Sequence, residues 1–186
     1  AAKGTAGKPV TIGFYVSGND GSIASLQRHI NALDWVVPAL LSTDAAGNVI
    51  QVRAPRLAQV MAAAQHPPKL LPMVQNIVNT QWDGKGAATM LRSPARRTAV
   101  IQRLVAFVAE QHAAGLVMDY ENLPPEVLPA YISFLRQLND ALPKSATLAV
   151  TVPAGEPEWH LGSFARVVDN VILMAYDEHW QSGKAG

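Results

Sequence analysis

Two carboxylates stand two residues apart in the run Gly115-Leu116-Val117-Met118-Asp119-Tyr120-Glu121, at the end of an apolar stretch short enough to be a β-strand. Side chains alternate faces along a strand, so Val117, Asp119 and Glu121 share one side while Leu116, Met118 and Tyr120 share the other. Along the strand the two acids lie roughly 6 to 7 Å apart. Each raises the pKa of the other and partial burial adds to the effect, so one carboxyl can stay protonated near neutrality and serve as a general acid. A second polar run closes the last apolar stretch: Met174-Ala175-Tyr176-Asp177-Glu178-His179-Trp180. Its Tyr, Asp and Trp supply a donor, an acceptor and a stacking surface, a combination suited to a sugar. Gln75 and Asn76 end another apolar stretch, and Tyr15 lies in the first.

Each of these residues also has a plainer reading. An acidic pair at a strand end can cap the following helix or join a surface ion pair. A Met-x-Tyr at such a place is commonly core, and His179 reads as a loop histidine. Trp82 and Trp159, both in expected loops, can stack on sugar rings or simply cover a core. What favours chemistry is the coincidence of polar endings on several strands.

The elements that must position these groups alternate along the chain. Strands are expected at Val10–Val16, Trp35–Leu41, Lys69–Asn76, Gly115–Glu121, Thr147–Ala154 and Asn170–Asp177, with a small extra strand at Asn48–Val52. Pro38 removes a ladder donor from the second, which predicts a bulge or irregularity there. Helices are expected at Ser22–Leu33, where Ile23, Leu26, Ile30 and Leu33 form one stripe, and at Arg56–Gln65, ending before Pro67. Gly84–Leu91 reads as a short helix or loop. Ser93 and Pro94 supply an N-cap and a first-turn proline for a long helix to about His112, with Val100, Leu104, Phe107, Val108 and Gln111 on or near its inner face. Helices over Glu126–Leu142 and Leu161–Val168 complete the series. Six β units in strict alternation with helices indicate an α/β fold with a parallel sheet, either a (β/α) barrel or a doubly wound sheet. No glycine-rich phosphate loop follows the first strand, which weighs against nucleotide binding.

The composition narrows the function classes. The chain has 186 residues, 49% hydrophobic and 16% charged, with no cysteine and a formal net charge of +1. Disorder, a disulfide scaffold and a thiolate zinc site are thereby excluded. No nucleic-acid partner is expected, because Arg92, Arg96, Arg97 and Arg103 fit a solvated helix face better than a phosphate track. The five histidines are scattered and none pairs with a carboxylate at metal-binding spacing, so neither metal nor cofactor is expected. No apolar run reaches the roughly 18 to 20 residues of a membrane span. Residues 1–9 read as a linker or an appended remnant, and the domain as residues 10–186. The absence of cysteine fits an extracytoplasmic location.

GLVMDYE resembles the fourth-strand signature of family 18 glycoside hydrolases, the chitinases and their relatives, whose strand carries D-G-x-D-x-D-x-E. NVILMAYDEHW resembles their sixth-strand M-x-Y-D motif, and GFYV and LLPMVQN fit the first and third strands. The nearest flavour is that of spore-germination and cell-wall hydrolases, or of chitinase-like domains in polysaccharide-synthesis fusion proteins. The resemblance implies a (β/α)8 TIM barrel acting on β-linked N-acetylglucosamine polymers. It makes Glu121 the acid that protonates the glycosidic oxygen and Asp119 the residue that orients the N-acetyl group. Tyr176 and Asp177 would hydrogen-bond that group and neighbouring hydroxyls, while Tyr15, Gln75, Asn76, Met174 and Trp180 would line the substrate. The family's mechanism is substrate-assisted: the acetamido oxygen attacks the anomeric carbon, and no protein nucleophile is needed.

Two departures stand out. The family's earlier acids fall on Val117 and Ala114, removing part of a carboxylate relay. A full barrel takes about 250 residues, so six βα units leave the last two lacking and imply a portion of a larger, multidomain protein. Open barrel edges would then favour self-association over a compact monomer. The alternatives are a non-catalytic carbohydrate-binding or scaffold domain on the same fold, and a two-carboxylate hydrolase pairing Glu121 with Asp177 or Glu178.

Overall fold

The computed structural model describes residues 9–175. In chain order the elements are β1 (Ile12–Tyr15), α1 (Asp20–His29), β2 (Trp35–Thr43), β3 (Val49–Gln51) and α2 (Pro55–Ala63). There follow β4 (Lys69–Leu70), β5 (Met73–Gln75), β6 (Ile77–Val78), β7 (Gln81–Trp82), α3 (Gly84–Arg92) and α4 (Pro94–Glu110). The last are β8 (Gly115–Asp119), α5 (Leu128–Ala141), β9 (Thr147–Pro153), α6 (Leu161–Phe164) and β10 (Asn170–Met174).

The main sheet runs β1-β2-β5-β8-β9-β10, all parallel, with β3 antiparallel on β2. It curls into the open portion of a (β/α) barrel. Helix starts follow local chemistry. The Asn19 side chain accepts from the Ser22 N–H at 2.9 Å, and Asp83 from the Gly86 N–H at 2.8 Å. Ser93 caps α4, whose first residue is Pro94, where the missing N–H costs no helical bond. No helix among the described residues is long and apolar enough to cross a membrane.

Prolines account for the irregularities. The register between β2 and β5 shifts between Ala39 and Leu41, next to Pro38, as the missing donor predicts. The stretch expected as one strand over Lys69–Asn76 is instead split into β4 and β5 at Leu71 and Pro72. The sheet continues across that gap, because the Leu71 N–H donates to the Val36 carbonyl and the Pro72 carbonyl accepts from Val117. An unexpected hairpin, β6–β7, follows β5. Its two central residues, Asn79 and Thr80, have φ of 49° and 66°, the positive pair of a type I′ turn. On α4, Ile101 is buried, whereas Gln111 is exposed and caps the helix end.

Two apolar layers lie on the two faces of the sheet. The outer one joins alternate strand residues such as Val36, Val74, Leu116, Met118 and Val150 to helix residues including Leu104, Phe107, Phe134 and Leu138. The inner one contains strand residues and linkers between them: Trp35, Val37, Leu71, Met73, Val117 and Ala149, flanked by Ile12 and Ile172. The helices pack on the other face, so the face holding Val117 is the concave one, and strand alternation puts Asp119 on it.

Candidate active site

Asp119 is the last residue of β8, directly opposite Gln75 in the β5 register and one step beyond the Met118–Val150 pair with β9. That placement brings a donor to each of its oxygens. Gln75 Nε2 donates to Oδ2 at 2.8 Å, and Thr151 Oγ1 donates to Oδ1 at 2.6 Å. Asp119 is only 5% exposed, and burying a carboxylate is tolerable where both oxygens are hydrogen-bonded. Its rotamer is held from two neighbouring strands.

Glu121 lies beyond the end of the ladder and is half-buried. Its main chain is paired with the Asn76 side chain: the Glu121 N–H donates to Oδ1 and Asn76 Nδ2 donates to the Glu121 carbonyl, both at 2.9 Å. Between the acids, Tyr120 points outward. Its hydroxyl meets Thr43 Oγ1 at 2.5 Å, and its ring stacks on Tyr131 at 5.2 Å and on Phe134 at 6.4 Å. Burial pushes the Tyr120 hydroxyl pKa well up, with the Thr43 hydrogen bond offsetting only part of that rise.

A small cavity of about 230 Å³ opens where β8, β9 and β10 end. Glu121, Glu156, Trp159, Pro153 and Met174 are among its walls. Trp159 is 4% exposed because its ring stacks on Phe164 at 5.4 Å and meets Tyr131 edge-on at 6.3 Å. It therefore covers the core as well as lining the cavity. Among the described residues no group of His, Asp and Glu is arranged to hold a metal ion.

Gln75, Asp119, Glu121 and Met174 are brought to one end of the sheet. Tyr176, Asp177 and Trp180 lie outside the described residues. Two expected substrate-lining residues do not face a cleft. Tyr15 is 2% exposed and packs in the outer layer, because β1 turns Ile12 and Phe14 inward and Gly13 and Tyr15 outward. Asn76 is fully buried, with its amide committed to the Glu121 main chain. Phe14, 51% exposed on the inward face, is the aromatic that β1 offers in place of Tyr15. Thr151 and Glu156 were also missed. A hydroxyl two residues after Ala149, in the middle of a strand otherwise apolar after Thr147, was the available signal for Thr151; Glu156 sits in a loop with none.

The glycosyl hydrolases family 18 model matches residues 13–186. The cortical fragment-lytic enzyme of Bacillus anthracis is 26% identical over 120 residues, covering 60% of this chain and 28% of that enzyme. The spore cortex-lytic enzyme SleL of Bacillus cereus superposes with a TM-score of 0.82 at 22% identity, over 95% of this chain and 43% of that one. A chitinase from Chromobacterium violaceum superposes with a TM-score of 0.81 at 21% identity, over 96% of this chain and 59% of the chitinase. At these identities the two structures speak to the fold. This chain spans less than a third of the lytic enzyme's length and about half the length of the two solved relatives.

Proposed function

This chain belongs to glycosyl hydrolases family 18, and from that premise we propose that it hydrolyses β-linked polysaccharide containing N-acetylglucosamine, with Glu121 as general acid and base. The observation that carries the reading is the pairing at the end of β8. Glu121 reaches a cavity wall two residues after an Asp119 whose two oxygens are already engaged by Gln75 and Thr151. In the proposed reaction Glu121 donates a proton to the departing glycosidic oxygen while the substrate's acetamido oxygen closes on the anomeric carbon. Asp119 orients the acetamido group, and its fixed rotamer suits that task because orientation is lost when a carboxylate can rotate. Tyr176 and Asp177 hydrogen-bond the same sugar. Glu121 then takes a proton from the water that opens the ring intermediate. The names of the relatives, cortex-lytic enzymes and a chitinase, support an amino-sugar polymer as substrate and an extracytoplasmic place of work.

Glu121→Gln in the full-length protein tests the assignment. Cleavage of N-acetylated glucosamine oligosaccharides should fall by about 10²- to 10⁴-fold, the usual contribution of a positioned proton donor. Unchanged cleavage overturns it. A carbohydrate-binding domain without turnover is the second reading. It is favoured by Val117, which is fully buried in the apolar inner layer where the family signature has an acid. Calorimetry with product analysis separates the two: heat of binding with no new reducing ends supports the second.

A further inference from the structure

We infer that Asn76 is a positioning residue for Glu121: a buried side-chain amide just after β5 that pairs with the main chain of the acid and sets where it stands. The inference rests on the reading of Glu121 as the acid. The β5–β8 register ends at Gln75 and Asp119, and the β8–β9 register at Met118, so Glu121 stands beyond the end of both. A primary amide presents its carbonyl oxygen and one of its N–H groups on the same edge, as the N–H and C=O of a single residue in an extended strand do. Asn76 uses both, accepting from the Glu121 N–H and donating to its carbonyl, at zero exposure. Two hydrogen bonds to one residue's main chain define the position of its Cα, from which the carboxyl swings.

Asn76 is itself anchored. Its carbonyl accepts from the Asp83 N–H at 2.8 Å, and the Asp83 carboxylate caps α3 through the Gly86 N–H. The hairpin of residues 77–82 is what returns the chain to make that bond. From the other side α3 presses on the residue after the acid. A Cβ placed on Gly84 would lie 1.7 Å from the Asn122 carbonyl oxygen, so only glycine permits this approach. Asn122 has φ of 56°, so the chain turns sharply as soon as it leaves Glu121. The acid's main chain is thus gripped by an amide on one side and a helix start on the other.

Asn76→Ala and Asn76→Asp in the full-length protein, beside Glu121→Gln, provide the test. A displaced proton donor lowers kcat on the order of 10²-fold with KM nearly unchanged, and this is expected for Asn76→Ala. Asn76→Asp keeps the acceptor and loses the donor. Its activity relative to wild type should rise as the pH falls and the new carboxyl regains a proton to donate, a recovery that a general loss of packing would not show. Amide exchange gives a readout independent of turnover: the Glu121 N–H should lose protection in Asn76→Ala while Leu116 to Met118 keep theirs. Should Asn76→Ala not fold, Asn76→Asp carries the same comparison. Wild-type kcat and pH profile in folded Asn76 variants, with Glu121→Gln inactive, would overturn the positioning role alone. Full activity in Glu121→Gln would overturn the acid assignment and this inference with it.

Discussion

The two faces of the curled sheet are built on opposite principles. The convex face is a continuous apolar layer in which strand residues meet the helices, with Phe107, Tyr131, Phe134 and Phe164 all essentially inaccessible. The concave face has a smaller apolar floor around Val37, Met73, Val117 and Ala149, above which the side chains turn polar at Gln75, Asp119 and Thr151. Tyr120 shows the division within a single strand end. It stacks outward on Tyr131 while Asp119, just before it, is held on the other face by Gln75 and Thr151. The lesson is that the outer layer supplies the stability, which frees the rim of the inner face to hold polar groups that contribute little to it.

The sharpest way to break this contrast is Phe134→Ala. Loss of a fully buried ring stacked on Tyr120 should cost about 3–5 kcal/mol in urea unfolding, while kcat per folded molecule stays at the wild-type level. A large fall in kcat without loss of stability would contradict the division of labour. Next comes Val117→Asp, which restores the acid of the family signature on the floor of the concave face. That floor is apolar and Val117 is fully buried in it, so the substitution should destabilise by about 3 kcal/mol. A neutral effect in the same unfolding measurement would show that the floor admits water.

The smallest effect concerns the outer tyrosines. Burial pushes the hydroxyls of Tyr120 and Tyr131 well above the ordinary tyrosine range. In the unfolded chain these groups release protons near pH 10, whereas in the folded chain they retain them. Above about pH 10 the folded state therefore binds more protons, and stability falls by about 1.4 kcal/mol per pH unit for each such group. Below that pH their contribution is fully present. Unfolding curves at increasing alkalinity should show this fall, with a shallower slope in Tyr120→Phe; identical slopes would remove the tyrosine from the account.

Strand positions and the parallel alternation were legible because β-branched apolar runs bounded by turn residues leave few other options. The bulge beside Pro38 was equally legible, since a missing donor has one consequence in a ladder. The break at Pro72 and the hairpin of residues 77–82 were not. The first depends on neighbouring strands bridging the gap, and the second on Asn79 and Thr80 accepting positive φ without glycine. At the site, alternation placed Asp119 on the concave side, where Gln75 and Thr151 hold it. It gave no phase for β1, where Tyr15 and Phe14 are adjacent aromatics and the choice between them fell the other way.

The order of residues by itself determined that Asp119 would emerge opposite Tyr120 at the end of a strand, because alternation is a property of the local backbone. Which group each polar neighbour engages was decided only in three dimensions. Gln75 and Asn76 are adjacent, yet one amide goes to the Asp119 carboxylate and the other to the Glu121 main chain. That difference comes from the inter-strand register and from where β5 ends, and register is a relation between segments more than 40 residues apart that no local pattern encodes.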